Sequence, residues 1–205
     1  MSALQGTEEW FAERLGRVTA SSFSDVLAKG EGVTRKRYMR RLVAERLTGR
    51  SQESFSNGHT ERGAEQEQFA RLQYEAMTGN LVTEVGFIKH PTLFAGASPD
   101  GLIDDDGGQE IKSVVPTVHI ETMERGKYPT THKAQIQGCL WITGRQWWDF
   151  VSYSPDFLQE NLRLYIFRVQ RDEEYIANLE VEVVKFLKEV DEMVERVSSF
   201  DFSVF

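Results

Sequence analysis

The feature that most constrains the fold is the stretch of residues 98–113, which reads SPDGLIDDDGGQEIKS. Residues 102–103 and 110–115 predict two short strands. The aspartates and glycines at 104–108 between them are residue types that favour tight turns. The stretch therefore predicts a β-hairpin with a strongly acidic turn.

The position of the turn decides which side chains face each other across the hairpin. A turn centred on Asp105 places Asp100 directly opposite Glu110, with Cβ atoms about 4.5–5.5 Å apart. A turn at residues 107–108 shifts that register. Both positions carry residues typical of turns, so the sequence leaves both registers open.

The second strand of this hairpin carries a compact set of charged side chains. Because successive residues alternate faces, Glu110 and Lys112 share one face and Ile111 points to the other. Facing carboxylates at Asp100 and Glu110 repel each other unless a positive charge lies between them. Mg²⁺, a hard cation that prefers oxygen ligands, fits that position. The alternative, which the spacing alone favours, is that these are solvated hairpin residues.

Composition and charge limit the class of protein. The 205 residues suffice for one domain with a substantial core. No apolar run approaches the ~20 residues that span a bilayer, and the N-terminus lacks a secretory signal, so we expect a cytoplasmic protein without a membrane segment. The net charge of −8 argues against a simple nucleic-acid-binding module, although five basic residues lie within positions 35–41.

The single cysteine, Cys139, is typical of a reducing compartment. One cysteine cannot form an internal disulfide. It also cannot supply a four-cysteine iron–sulfur cluster.

Capping residues predict three helices in the first quarter of the chain. Thr7 opens the first helix, and Ser21 or Ser22 caps a short second one. Thr34 caps the third, which ends at Gly49. The basic face of this third helix either follows a DNA backbone or is simply solvated.

The remaining elements follow from periodicity and breakers. A longer helix is predicted at 60–78, with Phe69, Leu72 and Ala76 facing the core. In a strand, Trp147 and Trp148 must point to opposite faces, so at least one belongs to the core. The other predicted elements are strands at 81–88, 147–153 and 162–169 and helices at 118–125, 132–142 and 173–197.

The last predicted helix, 173–197, has apolar residues at alternating spacings of three and four. This pattern is compatible with a coiled-coil seam. Leu187 and Val194 widen the apolar stripe, which favours docking across the sheet instead.

Five segments occur in an order that is similar to that of a known nuclease family. They lie at 14–21, 63–71, 98–101, 110–112 and 134–137, and read RLGRVTAS, GAEQEQFAR, SPDG, EIK and AQIQ. The chain resembles the phage lambda exonuclease branch of the PD-(D/E)xK nucleases over residues 8–155. The resemblance implies an α/β (α+β) fold with a central mixed β-sheet flanked by helices. It also implies a single nuclease domain over 1–205, comprising a helical part (1–57), a catalytic core (58–170) and a C-terminal helix and tail (171–205).

The resemblance assigns roles to residues of the catalytic core. Asp100, Glu110 and the backbone carbonyl of Ile111 are expected to hold one or two Mg²⁺ ions, which Mn²⁺ can replace. Glu67, selected by the pattern G-x-x-x-E-x-x-A-R, is expected to complete the site directly or through water. Lys112 is expected to orient the attacking water or to stabilise developing charge. The first glutamine of the A-Q-x-Q segment, Gln135, is expected to enter the active site in preference to Gln137.

A second set of residues is expected to bind DNA. In the resembled family, the arginine and serine of the first segment hold the 5′-phosphate, which assigns this role to Arg14 and Ser21. Arg35 and Arg37 of the basic cluster are further candidates, and Arg62 is a weaker one.

The resemblance also implies an activity. It implies a 5′-to-3′ exonuclease that acts on linear double-stranded DNA ends and leaves a 3′ single-stranded tail. A ring-shaped homotrimer and a single-strand annealing protein as recombination partner are part of that expectation. The alternatives are an endonuclease of restriction or repair type and a protein that binds DNA ends without cutting them.

Overall fold

The computed structural model describes residues 3–28, 32–52 and 59–200, with the side chains of 59–64 left out. Seven α-helices lie in this part of the chain: α1 (Glu8–Arg14), α2 (Phe23–Val26), α3 (Val33–Thr48), α4 (His59–Thr78), α5 (Pro116–Arg125), α6 (Lys133–Thr143) and α7 (Glu173–Ser198). The strands are β1 (Val18–Thr19), β2 (Val82–Thr83), β3 (Ile88–Lys89), β4 (Ala95–Ala97), β5 (Gly101–Ile103), β6 (Gly107–Ser113), β7 (Trp147–Tyr153) and β8 (Leu164–Gln170).

A mixed five-stranded sheet forms the centre, in the order β2-β5-β6-β7-β8. Strands β6 and β7 run parallel, and the other neighbours are antiparallel. A small sheet of order β1-β4-β3 lies beside it. The expected mixed sheet flanked by helices is confirmed. The single strand predicted at 81–88 is wrong, because that segment contributes β2 to the central sheet and β3 to the small one.

Two hydrophobic clusters cover the two faces of the sheet. The larger unites α2, α3, α6 and α7 with Trp148 and Phe150, and the smaller joins α4 to residues of β5, β6, β7 and β8. Trp148 is fully buried in the larger cluster, whereas Trp147 packs against the smaller one. The two tryptophans therefore point to opposite faces, as strand geometry predicts.

The core residues predicted for α4 are wrong. Phe69 and Leu72 are 62% and 54% exposed, and Ala76 is also exposed. Ala70 and Tyr74, four residues apart, are the ones buried against the sheet. Helical periodicity gave the spacing of a buried face but not its orientation.

Helix ends follow the expected chemistry in part. Thr7 caps α1 by accepting a hydrogen bond from the Trp10 backbone N–H at 3.3 Å, and Gly49 ends α3 in a left-handed conformation. The prediction that Thr34 caps α3 is wrong, because Gly32 holds the N-cap position. Ser22 occupies the N-cap of α2 without a capping side-chain hydrogen bond.

Helix α7 packs against α2, α3 and α6, and its buried residues belong to the same hydrophobic cluster as Trp148, Phe150 and Val169 of the sheet. Its buried stripe includes Ile176, Val183 and Val190, whereas Val197 at the end is 48% exposed. Within residues 3–28, 32–52 and 59–200, each helix is too short or too polar to span a membrane.

Candidate active site

The hairpin turns at the three aspartates. Strands β5 and β6 pair with Gly101 opposite Gln109 and Ile103 opposite Gly107, so the turn is centred on Asp105. Continued by one residue, this register places Asp100 opposite Glu110. The Asp100 carboxylate accepts a hydrogen bond from the Ile111 backbone N–H at 2.7 Å, which fixes it at the mouth of the hairpin.

The alternative turn at residues 107–108 is wrong, and the packing of two tryptophans explains why. Gly107 and Gly108 lie within β6, where the rings of Trp147 and Trp148 press directly against their backbones. A Cβ atom at either position would overlap the neighbouring ring. These glycines therefore serve close packing between β6 and β7 and not chain reversal.

Glu110 is the centre of the site. It is only 1% exposed, and its Oε1 accepts hydrogen bonds from the Lys112 ammonium at 2.6 Å and the Gln135 amide at 2.5 Å. Its Oε2 is buried and has no hydrogen-bond partner among the described residues. A buried carboxylate oxygen without a partner is costly unless a further group satisfies it.

The structure separates the two glutamines of α6. Gln135 reaches the carboxylate of Glu110. Gln137 is buried, and its amide donates to the Gln170 carbonyl and accepts from the Asp172 backbone N–H, both at 2.9 Å. Gln137 therefore joins α6 to the start of α7, and Gln135 is the glutamine that faces the acidic cluster.

Negative charge is concentrated between these residues. Burial, together with the carboxylates of Glu110 and Glu67, raises the pKa of Asp100 well above its usual range. Burial also raises the pKa of Glu67 to about 7, with Arg71 opposing the shift and Glu110 adding to it. The carboxylate of Glu110 thus makes ionisation of both Asp100 and Glu67 harder, which indicates a place for a cation.

Lys112 supplies positive charge at one side of this cluster. Burial disfavours its ammonium form, but the carboxylates of Glu110 and Asp100 outweigh burial and raise the pKa of Lys112 above its ordinary value. The side chain is therefore a charged donor at neutral pH. One ammonium cannot balance three carboxylates when all of them are ionised.

The donor set fits a hard divalent cation. Within the described ranges, no three His, Cys, Asp or Glu side chains lie close enough to enclose a metal by themselves. Mg²⁺, however, commonly takes only one or two carboxylates and keeps several waters. Asp100, the unpartnered Oε2 of Glu110 and the Ile111 carbonyl match that requirement, and the carboxylate of Glu67 lies near enough to help raise the pKa of Asp100.

The first sequence segment lies next to the hairpin. Arg14, in the last turn of α1, donates to Ser98 Oγ at 3.1 Å, and the Trp10 indole N–H donates to the same oxygen at 3.0 Å. Ser98 precedes Asp100 by two residues. Sequence reasoning missed Ser98, because a neutral serine before Pro99 carries no signal of its own.

Ser21 contacts Thr19, which lines a small cavity together with Arg14. The Ser21 hydroxyl is 3.2 Å from that of Thr19, and Arg17 and Arg41 also line the cavity. Arg17 and Arg41 were not among the residues predicted to hold the 5′-phosphate. The Glu45 carboxylate also lines this cavity, so three guanidiniums outnumber one carboxylate there, and the excess of positive charge suits an anion.

Arg35 and Arg37, two other predicted DNA contacts, do not line this cavity. Arg35 binds Glu189 through both guanidinium nitrogens, at 2.5 and 3.0 Å, and joins α3 to α7. Arg35 therefore has a partner within the protein, and its contact with DNA stays a prediction. Arg37 is exposed, and its role stays a prediction. Arg62 falls among the side chains outside the described residues, and Arg71 pairs with Glu84.

Comparison with known proteins agrees with this geometry. Residues 9–146 match the model of the YqaJ-like viral recombinase domain. The crystal structure of an alkaline exonuclease, LHK-Exo, from Laribacter hongkongensis is 44% identical, with a TM-score of 0.85 over 94% of this chain and 96% of that one. Its complex with dAMP is 45% identical, with a TM-score of 0.86 over 93% and 96%. A phage-related exonuclease from Haemophilus somnus 129PT shares the fold, with a TM-score of 0.67 and 17% identity over 88% of this chain and 96% of that one.

Proposed function

Because the chain belongs to the YqaJ-like viral recombinase family, we propose that it is a metal-dependent DNA exonuclease that degrades one strand of linear duplex DNA from 5′ to 3′. The likeness to an alkaline exonuclease over nearly the whole chain supports the exonuclease role. The observation that carries the metal-dependent part is the buried Oε2 of Glu110, which has no partner among the described residues. It lies beside Asp100, whose ionisation is hindered by burial and by the carboxylates of Glu110 and Glu67.

The metal would be held by Asp100, Glu110 and the Ile111 carbonyl, with Glu67 reaching it through water. When bound, Mg²⁺ would supply an activated water and offset charge on the leaving oxygen. We propose that one or two ions are used and that Mn²⁺ can replace Mg²⁺.

The protein's own side chains would prepare the site for hydrolysis of a phosphodiester. Lys112, a permanent cation 2.6 Å from Glu110, would stabilise charge that develops on the phosphoryl oxygens. Gln135, on α6, donates to Glu110 Oε1 and would keep Oε2 of Glu110 directed into the site. Both contacts orient Glu110 before substrate arrives, which favours a preorganised site.

The 5′-to-3′ direction of degradation would be set by the basic and hydroxyl side chains next to α1. Arg14 and the hydroxyls of Ser98 and Ser21 would bind the terminal 5′-phosphate, with Thr19 supporting Ser21. Because Ser98 lies two residues from Asp100, a phosphate bound there would be close to the proposed metal site. LHK-Exo forms a complex with dAMP, which belongs to the class of product that stepwise strand hydrolysis releases.

The proposal extends to assembly and partners. A ring-shaped homotrimer would retain DNA in its channel despite the net charge of −8 on each chain. The 3′ tail would be passed to a single-strand annealing protein for recombination, and the cytoplasm is the compartment we expect. A particle mass of three 23.5 kDa chains in light scattering is the result that the ring requires.

The test of the activity uses three DNA substrates, each with and without Mg²⁺: linear duplex with 5′-phosphate ends, the same duplex with 5′-hydroxyl ends, and a closed circle. We expect Mg²⁺-dependent nucleotide release, faster from phosphorylated ends, with the circle spared. Cutting of the circle would indicate an endonuclease. Binding to ends without cleavage under any metal condition would indicate a non-catalytic end-binding protein, and either result would overturn the proposal.

A further inference from the structure

Arg145 reaches from the end of α6 to the hairpin turn. It follows Gly144, the left-handed residue that ends α6. Its guanidinium Nη1 lies 3.0 Å from the Ile103 carbonyl oxygen, 2.8 Å from that of Asp104 and 2.6 Å from that of Gly107. One nitrogen is therefore shared among three backbone acceptors that surround the turn.

This convergence is possible in only one of the two registers that the sequence allows. With the turn centred on Asp105, Ile103 and Gly107 are paired across the hairpin, so their carbonyls meet at one point. With a turn at residues 107–108, both would lie on the same strand, four residues apart. Four residues of extended strand span about 13 Å, which one guanidinium nitrogen cannot bridge.

The segment that follows Arg145 holds the same turn. The backbone N–H groups of Gln146 and Trp147 both donate to the Asp106 carbonyl, at 2.8 and 3.2 Å. The turn itself is unfavourable in isolation, because Asp104 has a positive φ of 45° and three aspartates adjoin each other. A cation at its centre offsets both the crowded carbonyl dipoles and the carboxylates.

We propose that Arg145 is a positioning residue that selects the register in which Asp100 faces Glu110. Arg145 contacts the turn at one end of the hairpin, whereas Asp100 and Glu110 lie at the other end. It therefore acts on the two carboxylates by fixing the turn. The register determines whether Asp100 can accept the Ile111 N–H and share a cation with Glu110. The part of this inference that concerns the metal rests on the proposed function, whereas the part that concerns the register does not.

The experiment compares Arg145→Ala and Arg145→Lys with the wild type. Arg163→Ala is the matched control, because Arg163 also donates to a backbone carbonyl, that of Phe157 at 2.7 Å, in the loop between β7 and β8. Mn²⁺ affinity is measured by electron paramagnetic resonance, and amide hydrogen exchange is followed at Ile111. Outer-sphere residues that orient metal ligands typically contribute 10–100-fold in affinity.

We expect Arg145→Ala to weaken Mn²⁺ binding by about 10-fold and to speed exchange of the Ile111 amide, with Arg145→Lys in between. Arg163→Ala should match the wild type in both measurements. If Arg145→Ala does not fold, Arg145→Lys carries the test, because a lysine can contact one carbonyl but cannot gather three.

Two results overturn the inference: unchanged Ile111 exchange in a folded Arg145 variant, or an equal change in Arg163→Ala. A wild-type protein that binds no Mn²⁺ would instead contradict the proposed function. In that case hydrogen exchange at Ile111 still decides the role of Arg145 in the register.

Discussion

Two buried carboxylates on neighbouring strands have opposite surroundings. Glu110 on β6 and Asp149 on β7 are each only 1% exposed. Asp149 accepts from the Tyr74 hydroxyl at 2.7 Å and from Arg168 at 2.8 and 2.9 Å, so both of its oxygens are satisfied. Glu110 has one satisfied oxygen and one without a partner among the described residues.

The difference distinguishes a carboxylate that holds the fold from one that is kept ready for a ligand. Asp149 lies between an arginine and a tyrosine and anchors α4 to the sheet. Glu110 lies beside Asp100, and burial together with the carboxylates of Glu110 and Glu67 raises the pKa of Asp100. The Lys112 ammonium donates to one oxygen of Glu110. Burial of a charge is tolerated when it is paired, and a buried charge left incomplete indicates a functional site.

The largest expected effect concerns Lys112. Lys112→Ala should lower the rate of nucleotide release by about 100–1,000-fold, because it removes the charged donor beside Glu110. Folding and DNA binding should be retained. Lys133→Ala is the control, because Lys133 on α6 pairs with Asp172 at 2.9 Å. This variant should release nucleotides at nearly the wild-type rate. A Lys112→Ala enzyme as fast as the wild type would remove Lys112 from the active site.

Loss of a hydrogen bond to Asp149 should lower the stability of the protein and not its catalytic rate. Tyr74→Phe removes a hydroxyl donor from a buried carboxylate, which typically costs about 1–3 kcal/mol. Urea unfolding should show this loss, whereas the rate of nucleotide release under native conditions should stay near the wild-type value. A large loss of rate without a change in stability would place Tyr74 in the site and contradict the contrast.

A smaller effect should appear in the pH dependence of the metal-free protein. The pKa of Glu67 is about 7 in the folded chain, above the ordinary value near 4.5, so the unfolded chain loses this proton first. Stability should therefore fall by about 3 kcal/mol as pH rises from about 4.5 to 7. Glu67→Gln should flatten this decline in part, because Asp100 shifts in the same direction. An unchanged slope in Glu67→Gln would contradict the assignment.

Much of the fold is predictable because it follows from local patterns. Residues 147–153 form the predicted strand β7, and α7 begins at the predicted Glu173. A run of apolar residues predicts a strand, and a capped periodic stripe predicts a helix, without knowledge of the elements that pack against them. The orientation of α4 was not predictable. Phe69 and Leu72 share the periodicity of a buried face, but the sheet selects Ala70 and Tyr74.

The candidate site was predictable in its acidic residues and less so in its supporting contacts. Strand alternation places Glu110 and Lys112 on one face, but only the family resemblance assigned roles to Asp100, Glu110 and Lys112. The choice of register depended on Arg145 and the two tryptophan rings, which lie some 40 residues away and leave no local signal. Ser98 escaped notice for the same reason, because its importance arises from contacts with α1.

The most direct test of the central claim measures Mn²⁺ binding, by electron paramagnetic resonance, to Glu110→Gln and Asp149→Asn. Both changes replace one buried carboxylate by its neutral amide and keep its shape. The account predicts that Glu110→Gln abolishes binding with little loss of stability, whereas Asp149→Asn binds Mn²⁺ like the wild type but unfolds more easily. Wild-type Mn²⁺ affinity in Glu110→Gln would contradict the proposed metal site.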